Sequence, residues 1–141
     1  MGDVMLDVVC GLICDARGRL LACRRPPGKH LGGLWEFPGG KVEPDESPET
    51  ALIRELAEEL GIETEITGAL SPVEWDYGRG PIRLIPFFCR VVSGTPHPHE
   101  HDALEWVDVV TCDRLEWAAA DGPILAEWKA SCVTTSRNPA S

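Results

Sequence analysis

Three glutamates, Glu55, Glu58 and Glu59, stand at positions i, i+3 and i+4 of a segment whose apolar residues Ala51, Leu52, Leu56 and Leu60 recur at helical spacing. A helix there carries all three carboxylates on one side, with Arg54 placed to pair with Glu58. Acidic helix faces usually meet nothing but solvent. Two features set this one apart: it follows a Gly39-Gly40 pair, and a further acid, Glu46, lies just upstream. Hard cations such as Mg²⁺ take oxygen ligands, so carboxylates clustered on one rigid face suit a divalent ion. A divalent ion in turn suits a polyanion such as a triphosphate, whose charge must be neutralised before water attacks phosphorus.

The elements that must hold these acids can be read from both sides. Ser47 is a good N-cap, Pro48 suits the first helical position, Glu49 favours the positive helix end and Gly61 is a natural stop, which predicts a helix over 47–60. Residues 4–14 and 20–23 read as strands around the turn 15–18, together a hairpin, and 25–35 as a loop rich in Pro and Gly. An extended piece at 36–42 is broken by Pro38-Gly39-Gly40. Strands are predicted at 73–76 and 83–92 around the turn 77–80, and at 104–107 after a Pro/His loop, 94–101. A helical turn at 112–115 and a helix at 121–130 complete a mixed α/β domain over 1–131, with 132–141 expected as a flexible tail.

Composition excludes several classes. A net charge of −10 repels a nucleic-acid backbone, so no nucleic-acid polymer is expected as partner. The first apolar stretch is interrupted by Asp3 and Asp7 and lacks a basic flank, so neither an export signal nor a membrane span is expected. Six cysteines without CxxC spacing read as reduced, mostly buried thiols, consistent with a cytoplasmic protein.

Gly40, Glu46, Arg54, Glu55, Leu56, Glu58, Glu59, Gly61 and Ile62 fill, without departure, the pattern Gly, five residues, Glu, seven residues, Arg-Glu-aliphatic-any-Glu-Glu-any-Gly-aliphatic. This resembles the box of the Nudix hydrolases. The resemblance implies the Nudix fold, a mixed curved β-sheet sandwiched between two main helices, and Mg²⁺ as cofactor, with Mn²⁺ able to substitute. It implies that Glu58, Glu59, Glu55 and the main-chain carbonyl near Gly40 bind metal, and that Glu55 acts as general base or orients the attacking water. Arg54 then orients the glutamates, and Glu46 supports the loop–helix packing or an outer metal. Gly40 and Gly61 serve a tight turn and the helix end.

Residues 33–43 are similar to the MutT-type subgroup, which converts nucleoside triphosphates to monophosphate and pyrophosphate. His99-Glu100-His101-Asp102-Ala103-Leu104 and Ala119-Ala120-Asp121 look most like the CTP and 5-methyl-dCTP pyrophosphohydrolases of that subgroup. The match implies Glu100 as a distal metal ligand or second base, Arg25 at the nucleotide, Phe37 in the base pocket and Asp121 at the base. The plain alternatives are a solvated loop acid, a surface arginine, core packing and a helix cap. Members selective for 8-oxo-dGTP carry an asparagine in place of Asp121. An ionised aspartate, which only accepts, suits the N4 amino group of cytosine.

His97, His99 and His101 alternate and would offer a Zn²⁺ site on an extended segment, but Pro96 and Pro98 favour a solvated loop. Rival functions are 8-oxo-dGTP clean-up, cleavage of a nucleoside-diphosphate-linked substrate, and a non-catalytic Nudix nucleotide-binding module; such modules usually lose box glutamates, and this chain keeps them all. The expected partner is a small nucleoside triphosphate, with no membrane, and the expected state a monomer, a dimer left open.

Overall fold

The computed structural model describes residues 4–136, and residues 137–141 of the expected tail lie outside it. Strand β1 (Leu6–Ile13) is buried along most of its length because both of its edges are paired. It runs parallel to β7 (Pro81–Ser93), from Leu6 opposite Ile82 to Ile13 opposite Cys89, and antiparallel to β4 (Gly39–Lys41). The far edge of β7 takes β5 (Glu63–Ala69) and then β6 (Val73–Asp76), completing a five-stranded mixed sheet. A second, antiparallel sheet orders β3 (Trp35–Glu36), β2 (Leu20–Arg24) and β8 (Ala103–Val107).

Alternation along β1 and β2 divides the core in two. Val9, Ile13, Leu21 and Cys23 join Leu52, Leu56 and Leu60 of helix α1 (Pro48–Leu60). Cys10, Leu12, Leu20 and Ala22 join Ile124, Leu125 and Trp128 of helix α2 (Gly122–Ser136). The sheets are thus packed between two helices, as the Nudix fold requires. Each fully buried leucine of α1 contributes about 1.5–3 kcal/mol. Gly11 lets α1 lie close, since a Cβ there would stand 3.2 Å from Cδ1 of Leu56.

The expected hairpin does not form. Its turn does: the Asp15 carboxylate accepts from the N–H of Arg17 and Arg19 at 2.9 and 2.8 Å, and Cys14 bridges Leu20. Beyond that bridge β2 leaves for the other sheet, because β4 and β7 hold the edges of β1 while β3 and β8 hold those of β2. Strand β5 carries no assignment from the sequence; two register shifts, at Glu63/Thr64 and Ile66/Gly68, interrupt its period-two pattern.

Helix α1 starts and stops where expected. The Ser47 hydroxyl accepts from Thr50 N–H at 3.1 Å, and Gly61 takes a left-handed φ of 69° as its N–H reaches Ala57 O. Helix α2 runs past residue 131 to Ser136, so the segment expected as tail begins inside a helix; Ile124, Trp128 and half-buried Cys132 continue one apolar stripe. All six cysteines are free. Among the described residues no helix is long and apolar enough to cross a membrane.

Candidate active site

Helix α1 presents its acids to β4, and Arg54 organises them. Its guanidinium donates from Nε and Nη2 to both oxygens of Glu46 (2.7 and 2.9 Å), from Nη1 to Glu55 (2.9 Å) and from Nη2 to the Lys41 carbonyl (3.2 Å). Glu58, the partner expected from i, i+4 spacing, is a weaker contact at 3.4 Å. Glu46 also accepts from the N–H of Glu43, and the Arg54 guanidinium holds its carboxyl down at about 2. Both Glu46 oxygens thus join the loop before α1 to the helix, as the packing role requires.

Gly40 serves a purpose other than the tight turn expected. It lies in β4 opposite Val9, and a Cβ there would fall 2.5 Å from the Glu55 carboxyl carbon. Its neighbour Gly39 is as constrained, since a Cβ would meet the Val9 carbonyl oxygen at 1.9 Å. The glycine pair opens room for the Glu55 carboxylate. Gly40→Ala is expected to displace that carboxylate and lower kcat on the order of tenfold to a hundredfold with the fold retained. Steady-state rates beside a far-UV spectrum check it, and an unaffected rate would show that Glu55 needs no such space.

Glu59 is the most perturbed acid of the cluster. It is 7% exposed, one carboxylate oxygen has no partner, and burial together with Glu100, Glu55 and Glu36 pushes it up to about 9, against the Gly39 N–H. Burial also raises Glu55, opposed by Arg54 and reinforced by Glu58 and Glu100. Glu100, on the exposed loop before β8, thus sits within electrostatic reach of both. As the side chains stand, no three histidine, cysteine or acidic groups among the described residues form a ligand set. The unpaired Glu59 oxygen and the mutual repulsion of Glu55, Glu59 and Glu100 nevertheless fit a hard cation, which would supply the missing positive charge.

Glu59 and Glu100 line a cleft of about 450 Å³, a volume suited to a small molecule, and the Glu55 carboxylate lies against Gly40 in its wall. Phe37 and Asp121 line the same cleft. Phe37 is buried, its ring tilted against Trp117 at 5.0 Å, so it packs in the core and lines the cleft at once. Asp121 is 5% exposed; its carboxylate takes the Phe37 N–H at 3.3 Å rather than capping α2. Burial, with Glu36 adding, pushes Asp121 up to about 8, against Phe37 N–H and Arg25. Burial therefore favours the neutral acid, which donates as well as accepts, over the acceptor-only aspartate read from the sequence.

Arg25 lies in the cleft wall, donating to the His30 carbonyl at 2.7 Å and to Glu36 at 3.3 Å. Four of the thirteen Lys and Arg residues, Arg25, Lys29, Lys41 and Arg79, line this cleft in a chain of net charge −10. Sequence reasoning did not place Glu36, Tyr77 or Arg79 at the site, and it named His101 only with His97 and His99 as a candidate Zn²⁺ ligand. The turn 77–80 reads only as a turn, yet the Tyr77 hydroxyl accepts from Ala120 N–H at 2.6 Å and so ties it to the segment bearing Asp121. His101 turns inward to Glu36 while His97 and His99 contact each other edge to face, so the three imidazoles do not share a face.

The Nudix domain family matches residues 5–128 of the chain. The chain is a Nudix hydrolase. It is 39% identical over 126 residues to the CTP pyrophosphohydrolase of Escherichia coli K12, covering 89% of this chain and 93% of that one. To the 8-oxo-dGTP diphosphatase of the same strain it is 30% identical over 124 residues, covering 88% and 96%. The solution structure of the E. coli ORF135 protein superposes on this Nudix hydrolase with a TM-score of 0.78 at 36% identity, over 96% of this chain and 94% of that one. The MutT protein of Methanosarcina mazei Go1 gives 0.81 at 26% identity, over 93% and 97%. These relatives put this Nudix hydrolase in the MutT-like subgroup.

Proposed function

We propose that this enzyme is a Mg²⁺-dependent nucleoside triphosphate pyrophosphohydrolase that acts on CTP, dCTP or 5-methyl-dCTP and releases monophosphate and pyrophosphate. The observation that carries the reading is one cleft lined both by the acids Glu59 and Glu100, with the Glu55 carboxylate against its wall at Gly40, and by Phe37 and the buried Asp121. The acids, with the Gly40 carbonyl, would hold the cation, which supplies the charge that neutralises the triphosphate.

Glu55, whose proton affinity is raised by burial, takes the proton of the attacking water, and Arg54 fixes its orientation. Arg25 and its neighbouring cations draw in the anionic chain. Phe37 offers a flat apolar surface to the base. A neutral Asp121 pairs with the edge of cytosine twice, its hydroxyl donating to N3 and its carbonyl accepting from the N4 amino group.

A second reading is favoured by the same residue. A neutral acid can also donate to O6 of a guanine and accept from N1–H, which suits 8-oxo-dGTP, the substrate named for the E. coli diphosphatase relative. A panel of CTP, dCTP, 5-methyl-dCTP, GTP, dGTP and 8-oxo-dGTP with Mg²⁺, ranked by kcat/KM, separates them. The cytidine nucleotides are expected to lead. An 8-oxo-dGTP preference of tenfold or more would overturn the cytidine assignment.

A further inference from the structure

We propose that His101 is a positioning residue: bonded to Glu36 across the cleft, it fixes the loop that delivers the Glu100 carboxylate to the acids of α1. The proposal rests on the reading above that Glu100 serves the reaction. Glu100 needs such a device. Its side chain is exposed, makes no hydrogen bond among the described residues, and lies within electrostatic reach of Glu55 and Glu59. Repulsion from the Glu55 carboxylate drives a free loop outward.

The chain around Glu100 is pinned on both sides. Before it, His97 and His99 donate their backbone N–H groups to the carbonyls of Leu60 and Glu59 at 3.0 and 3.1 Å, capping the end of α1. After it, Asp102 is tied to Arg24 through its backbone N–H (3.0 Å) and its carboxylate (2.8 Å), and His101, which lines the cleft, has its Nε2 2.9 Å from Oε2 of Glu36. A carboxylate only accepts, so Nε2 carries the proton of this bond. The other nitrogen, Nδ1, is buried without a partner in a side chain only 5% exposed. An apolar side chain would fill that space without leaving a polar atom unpaired, so packing does not account for a histidine, whereas the bond to Glu36 does. Glu36 in turn holds Arg25, so one carboxylate aligns a cation of the cleft wall and the loop of Glu100 together.

The test compares His101→Ala, His101→Gln, Glu100→Gln and the double variant His101→Ala/Glu100→Gln. Turnover of CTP and Mn²⁺ binding without nucleotide, followed by electron paramagnetic resonance, are read for each. His101→Ala is expected to lower kcat by about tenfold and to weaken Mn²⁺ binding, with KM for CTP little changed. His101→Gln, whose amide can donate to Glu36, should recover most of the loss. The double variant should be no slower than Glu100→Gln alone, because a residue that acts only through Glu100 has nothing left to position. A further loss of about tenfold in the double variant, or wild-type kinetics and Mn²⁺ binding in a folded His101→Ala, would overturn the proposal while leaving Glu100 in its role. Wild-type behaviour of Glu100→Gln would overturn the role of Glu100 and this proposal with it.

Discussion

Replacing Glu59 by glutamine is expected to lower kcat by about 10²–10⁴ while leaving the metal-free protein as stable as before or more so. Opposite effects on rate and stability follow from its surroundings. Burial and the neighbouring acids Glu100, Glu55 and Glu36 push Glu59 up to about 9, so at neutral pH the metal-free fold holds it protonated. Glutamine is a close mimic of that neutral acid but cannot supply a negative oxygen to a cation.

The sign with pH follows by linkage. The unfolded chain releases this proton near 4.5 and the folded one near 9, so between those values the folded state binds more protons and its stability falls as pH rises. Thermal melts in excess chelator from pH 5 to 9 should show a steeper decline for the wild type than for Glu59→Gln, and added Mg²⁺ should restore the wild type alone. Glu55→Gln should lose rate to a similar extent with the fold intact. Wild-type turnover in either variant would mean that α1 is an ordinary acidic surface helix.

The second large effect concerns the base. Truncating Asp121 to alanine is expected to lower kcat/KM for cytidine substrates by about 5- to 150-fold, the worth of a good paired contact of about 1–3 kcal/mol. Asp121→Asn, which keeps a donor and an acceptor, should stay close to wild type below pH 8. Above it the two should part. Asp121 is pushed up to about 8, and its ionisation removes the proton given to cytosine N3, so the wild-type kcat/KM falls with rising pH while that of Asp121→Asn does not. Rates from pH 6 to 10 for the three proteins check this. Unchanged kcat/KM in a folded Asp121→Ala would confine Asp121 to its bond with the Phe37 N–H.

Legibility in the sequence followed the range of the interactions involved. Helix α1 could be bounded to the residue because Ser47, Pro48 and Gly61 act on their own turn of backbone. The acid cluster was legible because a helix converts spacing directly into a shared face. The separation of β1 and β2 into two sheets was not, since it depends on β7 and β8, which lie far along the chain. Strand β5 was hidden by its bulges, and the last turn of α2 by the run Val133-Thr134-Thr135-Ser136, whose residue types favour a helix only weakly. At the site, the requirement for glycine at position 40 was visible but its cause, the Glu55 carboxylate lying against it, was not. The protonation of Asp121 likewise depends on burial beside Glu36, a residue 85 positions away in sequence.

The central claim is a cation-dependent cleavage of a triphosphate that yields pyrophosphate. It is tested most directly by incubating the protein with CTP in ¹⁸O-labelled water, with Mg²⁺ or with excess chelator, and analysing the products by mass spectrometry. The expected result is unlabelled CMP with singly labelled pyrophosphate in Mg²⁺, reflecting attack at the β-phosphorus, and intact CTP in chelator. Release of orthophosphate, or undiminished turnover in chelator, would contradict it.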